Sequence, residues 1–159
     1  MKLLAATLLI ILSAACPPTL AGSSEQNLFD KIITASRTYD ISAISENEYD
    51  QLVEYISEGR TRWIDLYPTL SQHPFLGITS LQEGLNISMA YALPINPSEV
   101  LKFVNNKNVN FICGMPFIEP TQQEIEHYYS KTKSALDHLV SPNAWGEKCL
   151  YTLTHVMKK

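Results

Sequence analysis

The chain is short of charge: of 159 residues, 18% are Asp, Glu, Lys or Arg. It is also short of basic clusters. Lys and Arg number 12 against 16 acids, and Lys2 is the only charge in the first 21 residues. Setting Lys2 aside leaves 11 basic against 16 acidic side chains in residues 22–159, a net charge of −5. Arg60 with Arg62 is the densest basic pair. A nucleic-acid binder needs a basic stripe to displace counterions from phosphates, so nucleic acid and anionic membrane are excluded as expected partners. Glycine is sparse as well: there are six, and no two lie closer than seven residues, which leaves no glycine-rich phosphate loop. Alternation of apolar and polar residues with a period of two is nearly absent, which argues against sheets. GxSxG, HExxH and CxxC are all missing, so no hydrolase, metalloprotease or thiol-redox signature is present. A composition with 45% hydrophobic residues excludes collagen-like, coiled-coil and disordered classes and fits one ordinary domain.

The first residues read as an address. Met1-Lys2 is a minimal positive start, Leu3 to Leu12 is an unbroken run of Leu, Ile, Ala and Thr, and the small residues Ser13, Ala14 and Ala15 follow. This is the grammar of a secretory signal, too short for a permanent bilayer span. Pro17-Pro18 breaks the run, and Thr19-Leu20-Ala21 offers small residues to a signal peptidase. Cleavage after Ala21 gives a signal peptide over 1–21 and a single domain over 22–159. The rival is Leu12-Ser13-Ala14-Ala15-Cys16, which has the layout of a lipobox with Ser13 where leucine is usual. Acylation at Cys16 would tether the protein by lipid, with no transmembrane helix. The expected location is periplasmic or secreted, or lipid-anchored to the envelope.

Three cysteines become two once Cys16 is removed or lipidated. In an oxidising compartment Cys113 and Cys149 are expected to join. A bridge closing 36 residues stabilises by roughly 3–4 kcal/mol on the chain-entropy account. The alternative is two buried thiols that never meet.

Helix signals dominate the rest. Ser23-x-x-Gln26 opens a run with Leu28, Phe29, Ile32 and Ile33 on one side. Ser45-x-x-Glu48 is a capping box, followed by Tyr49, Leu52, Val53 and Ile56 at helical spacing, with Gly59 at the C′ position. Trp63, Ile64, Tyr67 and Leu70 continue the spacing, and Pro68 should kink or interrupt it. Thr79 or Ser80 starts a helix carrying Leu81, Leu85, Met89 and Ala92, ended by Leu93-Pro94. Asn96-Pro97-Ser98-Glu99 is a further start, with Asn as cap and Pro at the first position. Val109 to Cys113 could be helix or strand, and Gly114 to Pro120 reads as an extended connector. Thr121-x-x-Glu124 caps a long helix with Ile125, Tyr128, Tyr129, Thr132, Leu136 and Leu139. Ser141-Pro142 starts the last, with Trp145, Cys149, Leu150, Leu153 and Val156. The expected fold is all-α: six or seven short helices in a compact bundle or stacked helical pairs, pinned by one disulfide.

Several stretches together resemble a family of small exported, mainly helical proteobacterial proteins with no assigned activity. They are Trp63-Ile64-x-Leu66-x-Pro68, Gly84-Leu85, Ala90-x-Ala92-Leu93-Pro94-x-Asn96-Pro97-x-x-Val100-Leu101, Cys113-Gly114-x-Pro116-Phe117-Ile118-Glu119 and Cys149-Leu150. The resemblance spans roughly residues 45–155, and the stretch from Cys113 to Glu119 is its most specific part. It implies an exported helical domain with Cys113 and Cys149 paired, and it brings no catalytic residues.

Chemistry is thin along the chain. His127 and His138 sit about three turns apart on one helix, ~16 Å along its axis, too far to share a metal ion. No metal or cofactor is expected, and no catalytic set is assigned. Glu119 is the best isolated carboxylate, read as an acid near a helix start. Asn86-Ile87-Ser88 matches a glycosylation acceptor by chance within a helix. One feature stands out: Glu46, Asp50, Glu54 and Glu58 recur every fourth residue on the second helix, an acidic ridge that repels itself by a few tenths of a kcal/mol per pair. It is either a solvated outer face or a surface for a basic protein partner. The expected function is a non-enzymatic protein-binding module of the envelope, in one version an immunity-type inhibitor. The alternatives are a small-ligand-binding protein or hydrolase with a site between helices, where Trp63, Tyr67, Tyr128 and Trp145 would line the pocket, and a structural lipoprotein anchored through Cys16.

Overall fold

A computed structural model describes residues 21–140 and 144–156. The expected signal peptide up to Leu20, Cys16 within it and the expected Ser141-Pro142 helix start lie outside the described residues. Among those described there are nine helical segments and no strand. Five are long: α1 (Ala21–Thr38), α2 (Glu46–Ser57), α5 (Thr79–Ala92), α8 (Gln122–Asp137) and α9 (Ala144–Val156). Four are single turns: α3 (Thr61–Ile64), α4 (Tyr67–Leu70), α6 (Pro97–Val100) and α7 (Val109–Ile112). The all-α expectation is met, with more segments than six or seven because the proline-punctuated middle of the chain breaks into turns. Trp63 to Leu70 divides between α3 and α4, and Pro68 falls in the first turn of α4, where its missing N–H costs nothing.

The termini are set by local chemistry. At α2, the Glu48 carboxylate accepts from the Ser45 N–H at 2.8 Å. It also receives Lys31 from α1 at 2.6 Å, so one side chain both starts α2 and docks it to α1. Gly59 (φ 74°) closes α2 in the left-handed C′ position, with its N–H on the Ile56 carbonyl. A Cβ there would come within 2.7 Å of Ile95 Cγ2, so the α5–α6 loop lies directly on this glycine. Thr121 and Glu124 form the reciprocal box at α8, with bonds of 3.3 and 2.8 Å.

Three expected starts are corrected. α1 is already helical at Ala21, so Ser23 is not its cap. α5 is preceded by Ile78, not by Thr79 or Ser80. Ile78 packs against the core, which fixes how the chain enters the helix where a polar cap would otherwise do so. Asn96 does precede α6, but its amide is turned away to donate to the Gly59 carbonyl (3.0 Å) and Thr61 Oγ1 (3.1 Å).

The core is continuous. α2 lies along α5 in the most extensive helix contact, α5 also meets α6 and α7, and α8 pairs with α9. Leu52, Ile56, Trp63, Leu70, Phe75, Leu81, Leu85, Met89 and Leu101 are fully buried between them. Cys113, just after α7, and Cys149 on α9 are bonded, with Cα atoms 4.8 Å apart and both residues buried. The expected disulfide is therefore formed, and it fastens the end of α7 to the C-terminal helix.

Candidate functional site: an apolar groove beside helix α5

The aromatic side chains that could have lined a pocket fill the core instead. Trp63, Tyr67 and Tyr128 are buried, and Trp145 is half-buried against the core. Trp63 stacks edge-on with Phe29 (5.4 Å) and donates its indole N–H to Glu25 Oε1 at 2.7 Å. Arg60 binds the other Glu25 oxygen at 2.6 Å. The Trp63 bond, with the Arg60 charge behind it, holds the Glu25 carboxyl below the usual carboxylate range. Tyr128 donates to the Ala90 carbonyl at 2.9 Å, and its burial pushes the phenol pKa upward.

A concavity does lie elsewhere among the described residues. It is an open groove of about 690 Å³ between the N-terminal half of α5, α7 and the connector 114–118. The connector forms its far wall, and three local features hold it there. The Cys113 bridge fixes one end. Gly114 lets the chain leave α7 closely, since a Cβ at that position would meet the Asn110 carbonyl oxygen at 2.6 Å. Phe117 then inserts between Tyr91 and Tyr128, edge-on to both at 5.7 and 5.5 Å. The apolar surface left open is considerable: Phe111 is 63% exposed, Ile118 90% and Ile87 40%, all lining this groove.

One polar residue of the groove lining, Asn86, is oriented by buried partners behind it. Tyr67 Oη donates to Asn86 Oδ1 at 2.7 Å and accepts from buried Asn108 Nδ2 at 3.1 Å. Asn108 is itself held by the Phe103 carbonyl and the Asn105 N–H. With its oxygen taken, Asn86 presents its Nδ2 as a donor without a partner among the described residues. Gln82 is committed to the Leu70 carbonyl at 2.8 Å. Among the described residues, Glu83 is the single ionisable side chain lining the groove, and no serine, cysteine or histidine lines it. Among the same residues no three His, Cys, Asp or Glu side chains gather to hold a metal. No protein-family model, curated protein or solved structure matches this chain. The lining can bind apolar groups and offers them the Asn86 and Asn110 amides, the Thr79 hydroxyl and the Glu83 carboxylate.

The acidic ridge is present but not uniform. Glu46, Asp50 and Glu54 are exposed on α2, and Glu58, its exposed C-cap, continues the ridge. Glu58 is paired with Arg60 at 2.7 Å, while Arg62, the other nearby cation, stacks over the Phe29 ring at 3.5 Å. Glu46 and Asp50 wall a smaller cleft of about 180 Å³ against Ser80 and Leu81. The first turns of α5 thus separate two concavities, the acidic cleft on one side and the apolar groove on the other. His127 and His138 border one shallow depression with Lys131, on a common face as their spacing requires. Glu119 is exposed with φ 50° in the connector. Ser88 is buried and donates to the Gly84 carbonyl, which leaves the Asn86-Ile87-Ser88 triplet inside a packed helix.

Sequence reasoning passed over the groove. The stretch from Cys113 to Glu119 was conspicuous as a pattern, yet nothing in it says that Phe117 turns inward and Ile118 outward. Phe111 carried the one local signal: an aromatic in a four-residue apolar turn whose neighbours Val109 and Ile112 are the ones buried.

Proposed function

We propose that this chain is an exported envelope protein acting as a non-enzymatic protein-binding module, with the groove beside α5 as its contact face. The observation that carries the reading is the exposure of Phe111, Ile118 and Ile87 around one concavity. Large apolar side chains clustered in the open, with polar residues at the rim, are characteristic of protein contact sites. The leader grammar of residues 1–21 and the Cys113–Cys149 bridge support an oxidising compartment, periplasmic or secreted, with lipid anchoring through Cys16 as the variant form. The exposed carboxylates of Glu46, Asp50 and Glu54 supply a field that would steer a basic partner toward this side of the molecule. An immunity-type inhibitor of an envelope toxin is one concrete version.

A second reading is favoured by the groove's size. A volume of about 690 Å³ falls within the range of small-ligand pockets, roughly 300–1,000 Å³. A small apolar ligand held by the Asn86 donor would suit it, but would leave Ile118 largely in water.

Position-specific photo-crosslinking in the native envelope tests the first reading. A crosslinker replacing Phe111 or Ile118 should give one discrete protein adduct, and one replacing Tyr39, which is exposed far along the chain at the end of α1, should not. No adduct at either groove position, or the same adduct at all three, overturns it.

A further inference from the structure

Resting on the protein-binding reading, and extending it to the chemistry of the occupant, we infer that the groove takes an extended apolar peptide segment of a partner protein that bears lysine or arginine beside its apolar residues. Charge is the first ground. Glu83 lines the groove, and Glu119 directly follows Ile118 at its rim, both exposed. Glu46 and Asp50 stand across the first turns of α5, one helix width or about 10 Å away. Among the described residues no lysine or arginine lines either concavity. On the side of α7 and α9, Lys148 is engaged by Asn106 Oδ1 at 2.6 Å, Lys102 by Glu99, and Lys107 lines a different concavity beside Phe103. The charged side chains that line the two concavities, Glu83 in one and Glu46 and Asp50 in the other, are therefore all acidic. A fatty acid, an anionic lipid or an acidic peptide would bring a carboxylate or phosphate against Glu83 and Glu119, whereas a basic flank is attracted by both.

The second ground is the form of the polar groups. Asn86 offers Nδ2 with its oxygen fixed by Tyr67, and Asn110, also on the groove, has a side-chain amide with no partner among the described residues. Amides of this kind match the unpaired N–H and C=O groups of an extended main chain, which a helix would already have satisfied internally. The apolar side chains of alternate residues would then meet Phe111, Ile87 and Ile118.

The test uses the oxidised protein after leader removal and two fluorescent twelve-residue peptides. They share one Leu/Phe-containing centre and differ only in lysine or glutamate flanks. Fluorescence anisotropy at low salt should show the lysine-flanked peptide binding at least ten-fold tighter, with the gap narrowing as salt is raised. Glu83→Gln with Glu119→Gln should remove most of that preference while leaving binding measurable. Phe111→Ser should weaken the lysine-flanked peptide at least ten-fold, and Asn110→Ala several-fold. All four substituted side chains are exposed, so folding is not at stake. Equal affinity for both peptides, preference for the glutamate flanks, or no binding of either overturns the inference. So does a concentration-dependent dimer abolished by Phe111→Ser, which would give the groove to a second copy. If the peptides fail while the crosslink at Phe111 persists, the occupant is wrong and the protein-binding reading stands. If the crosslink fails as well, both fall.

Discussion

At the scale of single residues, Glu25 shows how one side chain decides the placement of a helix. It lies on α1 and accepts from a fully buried tryptophan and from the Arg60 guanidinium. Removing it strands the Trp63 N–H inside the protein, a loss of about 1–3 kcal/mol for an unsatisfied buried donor. Glu25→Ala should lower the thermal midpoint accordingly, and Glu25→Gln, which keeps an acceptor for the indole, should lower it less. The same carboxylate and Glu48 give the sign of the acid response. Both have folded pKa values below the ordinary value of 4.5, Glu25 through the Trp63 bond and Glu48 through the Lys31 bond. Their contribution is full above about 4.5 and is lost as pH falls through the lowered values. Denaturation followed from pH 6 to pH 2 should show stability declining below that point, with a shallower slope in Glu25→Gln. An acid slope unchanged by that substitution would mean the pair contributes nothing. Gly59 is the other decisive position. Ala there meets both a left-handed backbone and the Ile95 side chain, so Gly59→Ala should destabilise by about 1 kcal/mol or more, read by urea titration.

At the scale of elements, the sequence was legible where periodicity and punctuation agreed. The α2 spacing, its Gly59 terminus and the Thr121–Glu124 start of α8 are all where the pattern puts them, and Tyr128, Thr132 and Leu136 form the buried side of α8 as their spacing requires. The single turns were less legible. Four residues give too little periodicity to choose helix or strand, so Val109–Ile112 stayed ambiguous until packing against α5 and α9 decided it. Local grammar also misled at Asn96, whose side chain is claimed by a turn 37 residues earlier. The groove was illegible for the same reason, since its walls come from two separate stretches, 77–87 and 110–118. Its far wall makes an element-scale prediction. Phe117→Ala should release the connector from Tyr91 and Tyr128, raising hydrogen exchange over residues 115–119 while leaving α2 and α5 protected. Loss of protection throughout would show that the connector is part of the core.

For the molecule as a whole, the proposed binding role would divide the work of recognition between the two concavities by range. Carboxylates on α2 act through a field that salt screens over about 8–10 Å, whereas the groove acts only on contact. Charge reversal at Glu46, Asp50 and Glu54 should therefore slow association with a basic partner and flatten its salt dependence, while Phe111→Ser should chiefly speed dissociation. Stopped-flow binding separates the two, and a ridge variant with unchanged association rate would reduce α2 to a solvated face. Intact mass tests the proposed export: a mass beginning at Gly22 that rises by about two hydrogens on reduction would report leader removal and one intramolecular bridge, whereas an acylated Cys16 would add a lipid mass.

The bridge between Cys113 and Cys149 stands at the foot of the groove's far wall, because the wall carrying Phe117 and Ile118 begins on the very next residue. Until those two sulfurs have been oxidised, the wall rests on aromatic packing alone. A copy still in a reducing interior would be folded around α2 and α5 yet poorly shaped to hold anything. If the chain is exported as proposed, competence to bind would thus arrive with oxidation of the pair.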